Sequence, residues 1–315
     1  MYYTNCALCP RKCEVNRESG KKGICGVGKT LKVARAALHF WEEPCISGTN
    51  GSGTVFFSGC SLHCVFCQNK EIASGEIGKE ITSERLTEIF LELQDKGAHN
   101  INLVTPGHYV PHLVKSVEAA RNQGLMLPIV YNTSSYENVD TLKRLEGIVD
   151  IYLPDFKYWS EDYAKKYSHA KDYPSVAKAA IAEMVRQQPN PVFAPMAQCE
   201  SLGQGAKGAE DVDQMLIKKG VIVRQLLLPG LLEDAKQITK YLYETYGNQI
   251  YFSLMSQFTP LPHVKLYPEL NRKVTKEEYD GFVDYAIELG IEQGFIQEED
   301  VADDSFIPDF NCEGV

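Results

Sequence analysis

Three cysteines, Cys60, Cys64 and Cys67, fall within eight residues of one another in Gly59-Cys60-Ser-Leu-His63-Cys64-Val-Phe66-Cys67-Gln-Asn69. The loop they form follows directly on the apolar run Thr54 to Ser58, which reads as a strand. Thiolates are the usual ligands of iron–sulfur clusters. Three of them occupy three corners of a 4Fe-4S cubane and leave one iron without a protein ligand, which makes that corner a reaction site. A zinc loop and a thiol–disulfide redox site are the competing readings. Zinc asks for four ligands, and His63, set between two of the cysteines, is poorly placed to be the fourth.

A second group, Cys6, Cys9, Cys13 and Cys25, has the spacing Cys-x2-Cys-x3-Cys-x11-Cys among basic and glycine residues. Four thiolates are enough to close a tetrahedral zinc site or to hold a second cluster, and the spacing does not distinguish the two. A small loop with little core of its own often needs such a metal to fold. Cys45, Cys199 and Cys312 stand apart and read as buried or incidental thiols.

The elements that position these groups belong to an ordinary globular chain: 315 residues, 44% hydrophobic and 23% charged. Disordered, collagen-like and low-complexity classes are excluded. No apolar run reaches the about 18 residues of a membrane span, and the start MYYTNCALCP lacks a basic-then-apolar leader. The chain is therefore expected in the cytosol, where clustered cysteines read as metal ligands and not as disulfides. A formal charge of −10 argues against nucleic acid and against an anionic membrane as partners. The charge is uneven. Met1 to Phe40 carries eight Lys/Arg against Glu14 and Glu18, whereas Glu292 to Val315 carries eight acids and no base. The basic head is either a solvated face or a dock for an acidic electron donor.

Past the head, six β-like runs are expected at residues 54–58, 100–104, 128–132, 148–153, 221–228 and 249–255, alternating with helical segments. The helix capped by Ser83 has Leu86, Ile89, Phe90 and Leu93 on one face. Others are expected over 111–123, 137–145, 175–188, 233–246 and 276–289. Alternation of this kind gives parallel βαβ units. The expected fold is α/β, a partial six-stranded barrel with ligands at the carboxyl ends of its strands. It divides into a cysteine-rich module over 1–50, the barrel over 51–290 and an acidic tail over 291–315. Residues 187–220 break the alternation and read as a long loop or insertion.

Cys-x3-Cys-x2-Cys after a first barrel strand resembles the radical S-adenosylmethionine superfamily. The resemblance implies a 4Fe-4S cluster whose free iron is chelated by the methionyl amino and carboxylate groups of S-adenosylmethionine. One electron then breaks the C–S bond to give a 5′-deoxyadenosyl radical. From Cys6 to about Gln257 the chain is similar to the PflX group of pyruvate formate-lyase activating enzyme-like proteins. The similarity runs through Cys6-Ala-Leu-Cys-Pro-Arg-Lys-Cys13, Gly23-Ile-Cys-Gly26, Glu42-Glu-Pro44, Gly51-Ser-Gly-Thr-Val-Phe-Phe-Ser-Gly-Cys60, Cys67-Gln-Asn69, Ile129-Val-Tyr-Asn-Thr133 and Asp150-Ile-Tyr-Leu-Pro-Asp-Phe-Lys157.

That resemblance implies an oxidoreductase in which Phe66 lies beside the adenine. Asn132, with Thr133 or Ser134 as substitutes, holds the ribose or amino-acid part, and Asp155 and Lys157 stand near the methionyl end. Two departures are visible. Val104-Thr105-Pro106-Gly107 replaces a Gly-Gly-Glu-Pro-like loop, and Arg224-Gln225-Leu226 replaces Arg-His-Leu, so that a titrating histidine is missing. His39, Glu42 and Glu43 match a His-x2-Glu-Glu-Pro run that lines the pocket or fixes the joint with the head. The resemblance also implies a low-potential donor of the flavodoxin or ferredoxin type, and a glycyl radical protein as target. A small-molecule substrate, and a non-catalytic iron–sulfur or zinc-binding interaction protein, are the alternatives.

Overall fold

The computed structural model describes residues 2–196, 215–297 and 308–315. Ten strands build the sheet: β1 (Leu31–His39), β2 (Ser52–Phe57), β3 (Lys79–Ile81), β4 (Ile101–Val104), β5 (Ile129–Thr133), β6 (Ile151–Pro154), β7 (Val192–Pro195), β8 (Met215–Leu226), β9 (Tyr251–Met255) and β10 (Gly294–Ile296). Their order is β10-β9-β8-β6-β5-β4-β2-β1-β3, with β7 beside β8. Every pairing from β2 through β10 along that path is parallel. The path does not close on itself, so the sheet is an unclosed, partial barrel. Because its strands are parallel, their carboxyl ends share one rim, and the loops that leave β2, β4, β5, β6 and β8 meet there.

Burial explains the parallel arrangement. Strands β2, β4, β5 and β6 are buried at every position, as strands covered on both faces must be. Helices cover one side. Along Ser83–Asp95 the stripe Leu86, Ile89, Phe90 and Leu93 is buried, and Leu113, Val117 and Ala120 play the same part along Val110–Asn122. Tyr173–Gln187, Leu232–Tyr246 and Lys276–Glu288 complete the layer. None of the described helices is long and apolar enough to cross a membrane.

The six expected parallel strands are all present, with ends moved by a few residues. Three antiparallel strands and β10 go beyond that expectation. β1 carries Lys32 and Arg35 and changes register between Val33 and Arg35, so a simple two-residue alternation does not mark it. It pairs with β2 and β3, and the chain's last residues lie along it through Cys312 N to Ala34 O (2.9 Å) and Ala36 N to Glu313 O (2.8 Å). The segment expected as a loop over 187–220 contains β7, which turns back antiparallel onto β8. Cys199 lies outside the described residues. Thr82, not Ser83, caps its helix by accepting from Arg85 N, because Ser83 Oγ is drawn to His112 Nδ1 at 2.9 Å. A further helix, Glu161–Ser168, has too few apolar positions to show a stripe and starts at the cap Ser160.

Gly59, two residues past β2, begins the cysteine loop at φ +93°, where a side chain is strained, and a Cβ there would sit 2.6 Å from the Cys25 carbonyl oxygen. Gly59→Ala is expected to destabilise the fold by about 1–3 kcal/mol. The thermal midpoint of the variant should fall, and an unchanged midpoint would contradict this packing.

Candidate active site

The loop after β2 is held by backbone contacts that aim its thiols at the rim. Gly59 N donates to Ile72 O (2.7 Å), Val65 N to Tyr167 O (2.8 Å) and Cys67 N to Cys64 O (3.2 Å). His63 adopts φ 55°, and its Nε2 meets Ile24 O at 2.8 Å, so its ring braces the loop against the head. Cys60, Cys64 and Cys67 all line one cavity of about 240 Å3. Two donors already point at the sulfurs. Leu62 N lies 3.4 Å from Cys60 Sγ, and Ser168 Oγ lies 3.0 Å from Cys64 Sγ.

Burial pushes the Cys64 thiol up to about 11, against the pull of Lys157, and pushes Cys67 well above the ordinary thiol range. Burial therefore holds these thiols protonated, and a metal bound here would have to displace that proton. Three soft sulfur donors, N–H and O–H groups directed at them and a lysine charge beside them all fit an iron–sulfur cluster. Among the described residues no three His, Cys, Asp or Glu side chains converge on a single ion. Cubane ligands each take a different iron and need no common point.

Opposite the thiols lies a network of buried charge. Arg224, near the end of β8, donates from Nε to Asp155 Oδ1 (2.9 Å), from Nη1 to Glu42 Oε2 (3.0 Å) and from Nη2 to Asn132 Oδ1 (2.6 Å). Lys157 Nζ reaches Asp155 Oδ2 at 2.7 Å, and Asn102 Nδ2 reaches Glu42 Oε1 at 3.0 Å. Burial acts to raise the Asp155 pKa, but Arg224 and Lys157 overcome it and hold the carboxyl below its usual range. Burial likewise acts to lower Lys157, and Asp155 with Cys64 keeps it above its usual range. Asp155 and Lys157 therefore face each other charged, with the Arg224 guanidinium beside them. Glu43, next to them and buried, is raised by burial despite Arg224, with Glu42 adding to the rise.

The candidates expected from sequence fall as follows. Phe66 lines the cavity and packs edge-on against Phe258 and Tyr158. Asn132, Asp155 and Lys157 line the same cavity, as do Thr133, Ser134, His39 and Glu42. Thr105 also lines it at φ 55°, its N–H donating to Asn132 O at 2.9 Å. Gln225 faces the other way, against Ala235 O and Thr239 Oγ1, because alternation along β8 sends it behind the sheet. Cys45 is packed with Ile46, Val130 and Ile151. Cys25 packs against the cysteine loop, its O accepting from Cys60 N at 3.2 Å, while a Cβ on Gly23 would lie 3.3 Å from both Cys13 Sγ and Cys25 Sγ and Cys13 packs with Cys6.

Glu137 was not singled out by sequence. It lies beneath the rim, with Thr133 Oγ1 donating to its Oε1 at 2.6 Å, and a Cβ on Gly107 would fall 2.5 Å from its carboxylate. Gly107 is thus the residue that leaves room for it, a pairing no local pattern announces.

A model of the radical SAM superfamily matches residues 54–194, the stretch that carries the cysteine loop, Asn132 and Asp155. Over that stretch the chain carries a radical SAM domain. It is accordingly an enzyme that uses a 4Fe-4S cluster and S-adenosylmethionine, with its substrate unspecified. It is 27% identical over 296 residues to a Methanocaldococcus jannaschii protein named "Uncharacterized protein MJ0674", covering 91% of this chain and 74% of that one. Streptococcus suis SuiB bound to S-adenosylmethionine is a structural neighbour with TM-score 0.48 and 12% identity, covering 76% of this chain and 48% of SuiB. A domain of pyruvate-formate lyase-activating enzyme from Bacteroides vulgatus gives TM-score 0.40 and 10% identity, covering 60% of this chain and 92% of that domain. The chain thus spans about half the length of SuiB.

Burial lifts Glu137 to about 7, with the Thr133 hydroxyl opposing the rise. The raised folded-state pKa means that the unfolded chain sheds this proton first, near the ordinary glutamate value, so stability falls as pH rises between the two values. Glu137→Gln removes that cost. Relative to the parent, the variant should gain about 2 kcal/mol between pH 5 and pH 8. Urea unfolding at the two pH values measures it, and a pH-independent difference would contradict the assignment.

Proposed function

We propose that Cys60, Cys64 and Cys67 hold the catalytic 4Fe-4S cluster and that the cavity beside them takes S-adenosylmethionine. When bound, the pair supplies a 5′-deoxyadenosyl radical for hydrogen abstraction. The reading is carried by one observation: the three thiols and the Asp155, Lys157, Asn132 and Arg224 network line a single cavity at the carboxyl ends of the parallel strands. Phe66 offers a π face to the adenine. Lys157 and Asp155 present opposite charges to the carboxylate and ammonium of a methionyl group, and Asn132 offers an amide to the ribose or amino-acid part. Arg224 orients Asp155 and Asn132 from behind.

The proposed target is a glycine of a glycyl radical protein. The Asp155-x-Lys157 resemblance to activating enzymes supports this choice, as does the flank of the cavity, where Trp41 in the lining and Phe40 beside it are 58% and 50% exposed. Apolar side chains on an open rim suit a docking polypeptide. The proposed reductant is a low-potential protein of the flavodoxin or ferredoxin type.

Anaerobic reconstitution followed by dithionite and S-adenosylmethionine should yield 5′-deoxyadenosine and methionine, measured by chromatography. Cys60→Ala, Cys64→Ala and Cys67→Ala should each abolish it. Product from any of these variants, or none from the parent chain, would sink the reading. Asp155→Asn should leave the iron content unchanged and weaken S-adenosylmethionine binding at least tenfold. Unaltered affinity would remove Asp155 from the site.

A further inference from the structure

Arg17 is a buried cation that lacks an anion. It is 1% exposed, and its guanidinium donates to Gly28 O, to His108 O (2.8 Å) and to Cys6 Sγ (3.7 Å), beneath the rings of Tyr3 and Tyr109. Among the described residues no carboxylate pairs with it. A buried charge met only by neutral carbonyls, rings and a thiol is costly, and negative charge on that sulfur and its neighbours would offset the cost. The nearest source is the thiols. Cys6 touches the guanidinium, and Cys25 lies within electrostatic reach of Arg17, Cys6 and Cys13. Cys9 is in reach of Cys25 and Cys6, and Gly23 leaves its Cβ position 3.3 Å from both Cys13 Sγ and Cys25 Sγ. Four thiolates on a metal centre carry a net negative charge, which is what Arg17 requires.

The place of this group separates a redox role from a purely structural one. Cys25 O accepts from Cys60 N at 3.2 Å, so a ligand of one site is hydrogen-bonded to a ligand of the other. Arg11 Nε donates to Ser61 O (2.9 Å), and His63 meets Ile24 O (2.8 Å), fixing the two cysteine loops against each other. A structural zinc gains nothing from this adjacency, whereas electron transfer does. Exposed Lys12, Lys21 and Lys22 lie between or beside these cysteines in the sequence and suit an acidic donor protein.

We infer that Cys6, Cys9, Cys13 and Cys25 hold a second, redox-active iron–sulfur cluster that relays electrons to the three-cysteine cluster through the Cys25–Cys60 contact. The relay rests on the barrel reading given above. One electron leaves an external low-potential ferredoxin- or flavodoxin-type donor, reduces the outer cluster and moves on to the inner one. The donor ends oxidised by one electron, the inner cluster ends reduced by one, and no atom or proton is transferred.

The test uses the full chain prepared without oxygen, with iron, sulfide and zinc counted per chain. About eight iron and eight sulfide are expected. Four iron with one zinc, or four iron alone, would overturn the second cluster. The Cys9→Ala/Cys13→Ala double variant should carry about four iron. Its 5′-deoxyadenosine rate with a reduced ferredoxin should fall at least tenfold relative to its rate with dithionite, and an equal change with both reductants would overturn the relay. Arg17→Gln, which leaves all four thiols in place, should lower the reduction potential of one of two spectroscopically distinct clusters. Two unshifted potentials would overturn the charge argument. Eight iron without 5′-deoxyadenosine would support the second cluster and overturn the barrel reading, so the two failures are told apart.

Discussion

Arg224 fixes the geometry on which the site depends. Its three hydrogen-bonded partners come from β5, from the turn after β6 and from the segment between β1 and β2, so one side chain ties three separate pieces of the rim together. In a buried setting such a tie is strict. Removing one partner leaves an uncompensated charge, which costs several kcal/mol, so the groups either sit together or the rim does not form. The same network keeps Asp155 ionised and Lys157 protonated while both face the cavity. Charge balance of this kind suits the binding of a zwitterionic amino-acid moiety.

The thiols answer to a different constraint. They lie on a loop, and loops hold precise positions only when other parts of the chain grip them. Here the grip comes from the head: Cys25 O on Cys60 N, Ile24 O against His63 and Arg11 on Ser61 O. The first residues of the chain are thus a wall of the cluster loop as well as a metal-site candidate in their own right. Gly59 permits the contact because it carries no side chain.

Much of this was legible in the sequence because it is local. The Cys-x3-Cys-x2-Cys spacing, the alternation of apolar runs and helical stripes, and the Asp155-x-Lys157 pair are patterns within short windows, and each reports one burial period or one ligand set. What escaped is what arises only when distant segments meet. Glu137 under Gly107, and Glu42 on Arg224, are contacts between residues far apart in the chain. Arg17 looked like one of eight head charges, and nothing nearby in sequence says that it is buried. Strands β1 and β7 escaped for a related reason. β7 is a half-exposed edge strand, and β1, though paired on both sides, carries Lys32, Arg35 and a register shift, so the two-residue period is blurred in both. Gln225 was flagged as a departure, and its place behind the sheet explains why a non-titrating residue is tolerated there.

The central claim is a cluster with one iron open to S-adenosylmethionine beside the Asp155 and Lys157 charges. Electron paramagnetic resonance of the anaerobically reduced protein, before and after adding S-adenosylmethionine labelled with 15N at the methionyl amine, tests it most directly. The account predicts a changed spectrum and hyperfine coupling between the label and the reduced cluster. An identical spectrum with no coupling, from protein whose inner cluster is assembled and reduced, would contradict it.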